Sequence, residues 1–319
     1  MQQSHLDTDI GRAEFKLIND QDHFESEWEI MKPIVKKNID GFLESVSHVN
    51  ENMSPQNNFS AYLLGLIKGN DARHDKYHAL FEMDMMDQYA FDTQGFKDVI
   101  VKKECDVIRN TLASKAQALN EWKAKFYACK SQSIYDTFYN FLSFAIEYNE
   151  NMDEEAMQSL NTIADCRLSE MEDDACYQSG VLGYGIVSNI LNHMYPRIFP
   201  GNYKAGIWSL FFLSDGYKSV SMPSGTSEFC MVKDETPSKT GITEVEHNYF
   251  FPYETYCIYT LRIYRMLVEQ IKTRFQKEYP SDYRFLITNH FYDYITAENK
   301  ASITTLSGND DILKFNTPW

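Results

Sequence analysis

The stretch ETYCIYTLRIYRMLVEQIKTRFQKEY (254–279) constrains the fold more than any other. Tyr256, Tyr259, Ile263, Leu267, Ile271 and Phe275 recur every three or four residues, which places them along one side of an α-helix. Arg262, Arg265, Glu269 and Lys272 fall on the other side, with Arg265 and Glu269 spaced to pair at i,i+4. Such a helix needs apolar partners, and the chain supplies them at the same spacing. Residues 23–49 carry Trp28, Ile30, Met31, Ile34, Val35, Ile39, Phe42, Leu43 and Val46; residues 96–130 carry Cys105, Ile108, Leu112, Leu119, Trp122, Phe126 and Cys129. SIYDTFYNFLSFAIEY (133–148) reads as a more deeply buried helix. A chain of 319 residues with 43% hydrophobic content can bury a sizeable core.

The expected fold is therefore mainly α. A partly ordered segment (1–22) precedes a helical domain (23–198), and a mixed α/β region (199–319) packs on that domain. Pro33 is expected to kink or restart its helix. FSAYLLGLIKG (59–69) reads as a short helix stopped by Gly69, with Asp71 capping a new helix behind it. The acid runs at 153–155 and 170–174 suit solvated helix starts. Gly180, Gly183 and Gly185 lack the order and the preceding strand of a dinucleotide loop, so close helix packing is their expected use. SEFCMV and ITEVEHNYFF should pair as a small hairpin around KDETPSKTG, and YRFLIT (283–288) reads as one more strand.

A net charge of −16 opposes broad attraction to nucleic acid or to anionic membranes, so no extended DNA-binding surface and no membrane association are expected. The charge leaves room for a local basic pocket. The six cysteines (105, 129, 166, 176, 230 and 257) include no closely spaced pair of the zinc or redox kind. The first residues lack the basic start and apolar run of a secretory signal, and GIWSLFFL (206–213) is too short to span a bilayer. A soluble cytoplasmic protein without a cofactor is the expectation.

The chemistry concentrates in NDARHDKYHALFEMDMMDQ (70–88). On a helix, His74, His78 and Glu82 lie along one stripe at i, i+4 and i+8, a spacing at which two imidazoles and a carboxylate can hold zinc or iron. RHDKYH also resembles the Arg-polar-x-x-x-His signature of HEPN-type RNA-cleaving domains, which are all-helical. That resemblance implies a metal-independent ribonuclease of toxin or anti-phage type. Arg73 would stabilise charge on the scissile phosphate, His78 would act as acid or base, and His74 would hold the polar second position. Read without the resemblance, the same residues form an exposed helix start facing water, with Tyr77, Leu80 and Phe81 turned to the core. The aromatic stretch HNYFFPYETYCIYTLRIYR offers a second surface, able to stack bases or anchor a protein partner, with Arg262, Arg265 and Tyr256 as binding residues. Two functions follow: a helical interaction or regulatory protein that joins a partner or a second copy of itself, or an RNA-directed nuclease.

Overall fold

The computed structural model describes residues 9–201, 203–216, 222–223, 225–232 and 244–308. Short polar side chains set several helix starts. After α1 (Asp9–Ile18), the Asp20 carboxylate accepts the His23 backbone N–H at 3.0 Å and opens α2 (Gln21–Ser47). Pro33 lies inside α2, which continues past it, and Phe24, Trp28, Met31, Val35, Ile39, Phe42, Leu43 and Val46 are buried along one face. Ser54 caps α3 (Pro55–Phe81), with Pro55 in the first turn, where its missing N–H costs no hydrogen bond.

Helix α3 corrects the first expectation. It runs 27 residues without stopping at Gly69, and Asp71 sits in its interior instead of capping a new helix. Leu66, Asn70, Tyr77 and Phe81 are buried on both sides of Gly69, so tertiary packing overrides the weak local stop. The Asp71 carboxylate accepts the Tyr283 hydroxyl at 2.8 Å instead.

The long helix expected over 96–130 is divided. After α4 (Met83–Gln88), α5 (Thr93–Gly95) passes into a π-helical turn (Phe96–Glu104), followed by α6 (Asp106–Ala113), a 3-10 turn (Gln117–Leu119) and α7 (Asn120–Ala128). Phe96, Ile100, Val101 and Cys105 are all buried, and the Cys105 N–H reaches back five residues to the Ile100 carbonyl at 2.9 Å. One wider turn keeps this set on the inner face. The aromatic face of α8 (Ser131–Asn151) is buried, as the sequence suggested. Asp153 caps α9 (Glu154–Ser159) through the Ala156 N–H at 2.8 Å, as expected for its acid run.

The α10 (Tyr184–Met194) and α11 (Tyr203–Leu213) helices come next. The two strands of the expected hairpin pair: β1 (Cys230–Val232) runs antiparallel to β2 (Val245–His247), Cys230 opposite His247, and the expected connection KDETPSKTG lies outside the described residues. Helix α12 (Tyr253–Phe275) buries all six residues of its predicted stripe. The expected strand at 283–288 is instead the start of α13 (Arg284–Glu298), after which comes α14 (Lys300–Ser307). Residues 284–289 are all buried, so the run shows neither period clearly. The fold is mainly α, with one small sheet among the described residues. The apolar core forms one cluster from Ile18 to Ile303, in which α12 packs on α2 and α13, and α10 packs on α3 and α11. Among the described residues, no helix is long and apolar enough to cross a membrane.

Candidate functional site

Four positions on one face of α3 (Asn70, Asp71, His74 and His78) line a cleft of about 430 Å³. The facing wall comes from Asn149 near the end of α8, from Met194 to Arg197 at the close of α10, and from Asp282 and Tyr283 before α13. The last turns of α3 therefore face a cleft, where the sequence suggested bulk water. The two imidazoles stand one turn apart with ring centroids 4.3 Å from each other.

The His78 Nε2–H donates to the Met194 carbonyl at 2.8 Å, and the ring meets Tyr195 edge-on at 5.3 Å. A carbonyl only accepts, so this bond selects the Nε2–H tautomer and leaves the lone pair on Nδ1. Burial lowers the His78 pKa, outweighing the raising effect of that hydrogen bond, so the ring is neutral at neutral pH. Arg197 supplies the fixed cation of the cleft, and its Nη2 donates to the Asn149 side-chain oxygen at 3.2 Å. Buried Arg284 donates to the Arg197 carbonyl at 2.7 Å and to Glu154 at 2.6 Å, holding the segment in place from behind. Asn70 is only 4% exposed and lines the cleft, yet its side-chain Nδ2 has no hydrogen-bond partner.

Arg73 is not part of this wall. It is half-buried and lies near enough to His193 and His290 for its charge to add to their burial, and both pKa values fall to about 4. Positions 73 and 78 are five residues apart, a helical rotation that separates them by roughly 140°. His74 and His78 come together as the spacing implied, but Arg197 is the cation beside them. The stripe also breaks before Glu82: α3 ends at Phe81, and Glu82 takes φ −63° and ψ 151° and is exposed. Among the described residues no three His, Cys, Asp or Glu side chains are grouped to hold a metal.

The arginine surface of α12 is turned inward. Arg262 grips Glu25 with two hydrogen bonds (2.6 and 2.5 Å) and covers the Phe24 ring at 4.6 Å; this pairing lowers the Glu25 pKa. Arg265 donates to the Leu160 and Gln158 carbonyls at 2.7 and 2.9 Å and to the Asn161 side chain at 3.2 Å, so its guanidinium serves the end of α9 instead of Glu269. Tyr256 is fully buried, with its hydroxyl donating to Gly201 at 2.8 Å. These three residues join α12 to α2, α9 and the α11 approach, and do not present a recognition face. No family model, no curated protein and no solved structure matches the chain.

Proposed function

We propose that the chain is a helical binding protein of the interaction or regulatory kind, and that the histidine cleft holds the group it recognises. The unpartnered Asn70 amide carries this reading. A buried donor left without an acceptor costs about 1–3 kcal/mol, a cost that a bound acceptor removes. Arg197 adds a fixed positive charge on a cleft that Asp71 and Asp282 also line, and a carboxylate or phosphate oxygen would answer both that charge and the Asn70 amide. Tyr283 already engages Asp71, which reduces its competition for that wall. A protein partner or a second copy would find apolar anchors in Val49, Leu64 and Phe91, which stand exposed. The reading sets the protein in a reducing cytosol, in keeping with six cysteines that are all free thiols.

The test is thermal unfolding of the full chain with acetate or inorganic phosphate, for the wild type and for Asn70→Leu. Binding selective for the native state stabilises it by about 2.7 kcal/mol at a hundred times Kd. Wild type should gain stability and Asn70→Leu should not. Equal response of the two proteins, or none in either, removes the reading.

A second reading is favoured by one observation: His74, His78 and Arg197 share the cleft. In a metal-independent RNA cleavage, His78 Nδ1 would take the proton of a 2′-hydroxyl as that oxygen attacks the neighbouring phosphorus. His74 would give a proton to the departing 5′-oxygen, and Arg197, in place of Arg73, would stabilise the charge on phosphorus. Single-stranded RNA incubated with the protein in EDTA should be cut, and His78→Ala should abolish the cut with the fold retained. RNA left intact by wild type eliminates this second reading.

A further inference from the structure

A second cavity, of about 390 Å³, lies at the opposite end of α10 and shares no lining residue with the histidine cleft. Five aromatic side chains stand in its walls: Trp122, Tyr177, Tyr184, Tyr203 and Tyr249. The Trp122 indole is fixed by its N–H, which donates to the Val181 carbonyl at 2.9 Å, and by stacking on Phe126 at 5.4 Å. Tyr184 links the opposite side, with ring centroids 5.5 Å from Tyr177 and 5.9 Å from Tyr203. A volume in this range, with rigid aromatic walls and few polar groups, is the common form of a small-molecule site.

The charge at this cavity is unlike the rest of the molecule. The protein carries −16 overall, yet no Asp or Glu lines the cavity among the described residues, whereas Lys204 does. Two 11-residue helices also begin here: Tyr184 and Gly185 open α10, and Tyr203 and Lys204 open α11. A helix start carries partial positive charge, and at α10 Gly183 occupies the cap position without a side-chain hydrogen bond. Burial lowers the Lys204 pKa to about 8 against the opposing pull of Glu246, so the amine is still mostly charged at neutral pH. Burial and the nearby Lys204 push His247 down to about 3, so its ring stays neutral.

The three glycines acquire a use here. They were expected to allow close helix packing; all three line the cavity, where a Cβ on Gly180 would press on the Lys125 side chain at 3.0 Å and one on Gly183 would touch Tyr177 at 3.6 Å, so of the three Gly185 is the one that leaves space. A Cβ on Gly185 would meet nothing within 4 Å. The missing side chain leaves open cavity, not helix contact.

We propose that this cavity binds a planar aromatic molecule bearing a carboxylate or similar anionic group, with the ring between Trp122 and the tyrosines and the anion at Lys204 and the two helix starts. The site is independent of the histidine cleft, so its test does not depend on the proposed function.

Three probes of one shape separate the contributions: 2-naphthoate, 2-naphthylmethanol and 2-naphthylmethylamine, titrated into the full chain by calorimetry. Naphthoate should bind at least tenfold more tightly than the alcohol, and the amine should bind weakest. Lys204→Met should erase the advantage of naphthoate and leave the alcohol's affinity in place. Gly185→Leu, which fills open space, should abolish binding of all three at an unchanged unfolding temperature. Equal binding of naphthoate and alcohol overturns the anionic class, and tightest binding by the amine overturns it in favour of a cation cage. Naphthoate bound by Gly185→Leu as by wild type overturns the site. If Gly185→Leu does not fold, Lys204→Met alone decides, and an undiminished naphthoate preference in that variant refutes the proposal.

Discussion

His23 and Glu228 form a buried ion pair between segments 205 residues apart, with side chains only 4% and 2% exposed. The Tyr259 hydroxyl donates to the other Glu228 oxygen at 3.2 Å, and Asn248 donates to the Glu228 backbone carbonyl at 2.9 Å. The pair thereby ties the first turn of α2 to the root of the hairpin, whose second strand carries His247 to the aromatic cavity. Replacing His23 with Ala leaves the Glu228 carboxylate buried beside the Tyr259 hydroxyl, without its charged partner. Removing one member of such a pair costs about 3–5 kcal/mol, because the other charge stays out of water. Against a total stability of about 5–15 kcal/mol for a native domain, that loss is large. The double variant His23→Leu/Glu228→Met removes both charges and should be far closer to wild type than either single variant.

The same pair predicts a pH dependence. Burial lowers the His23 pKa, but the hydrogen bond and charge of Glu228, with Glu27 and Asp20, outweigh it and raise the value above 6.5. A group with a raised folded pKa contributes stability that is complete below its unfolded value and is lost as pH rises through the folded one. Urea unfolding of wild type and His23→Gln at pH 5.5, 7 and 8.5 measures this directly. The stability margin of wild type over the variant should be widest at pH 5.5 and narrow upward. A single-variant cost below about 1 kcal/mol, or a margin that widens with pH, would refute the argument from a buried charged pair.

Gly69→Ala should stabilise the protein by about 0.5–1 kcal/mol, because Gly69 lies inside α3 and its Cβ would meet nothing within 4 Å; a loss in urea midpoint would mean that the helix needs glycine there. Arg265→Lys should cost about 1–3 kcal/mol, since an ammonium cannot reproduce the fork that satisfies the Gln158 and Leu160 carbonyls and the Asn161 side chain; chemical denaturation equal to wild type would contradict this. His193 and His290, held near pKa 4 chiefly by burial, give stability that is present above about pH 6.5 and is lost as pH falls toward 4. Their two protons correspond to a slope of up to about 2.7 kcal/mol per pH unit in that window, and a flat urea midpoint between pH 4.5 and 6 would count against it.

Periodicity made the fold legible where one helical face meets the core and the other meets water. In α12 all six residues spaced at three and four are buried, and past Tyr264 the buried positions are Leu267, Ile271 and Phe275, all on that stripe. That signal fails where burial is two-sided, as in residues 284–289, where six consecutive positions are inside and a helix can be mistaken for a strand. It also fails where packing overrides a local stop: Gly69 has the composition of a helix end, but Leu66 on one side and Asn70 and Tyr77 on the other hold α3 through it.

The sites are harder to read because cavities belong to the tertiary arrangement. His74 and His78 share a face by helix geometry alone, so their pairing was visible. The cation that joins them was sought five residues away in Arg73, while the chain supplies it from Arg197, after α10 has returned across α3. Asn70 is the buried donor on which the proposed function rests. Lys204 carried no motif at all. Its place follows from α10 and α11 starting side by side, and that brings a lysine, two helix termini and a ring of aromatic side chains around one opening. The glycines before α10 were the one local mark of that opening: a residue without a side chain, at a helix start beside tyrosines, signals space as readily as it signals close contact.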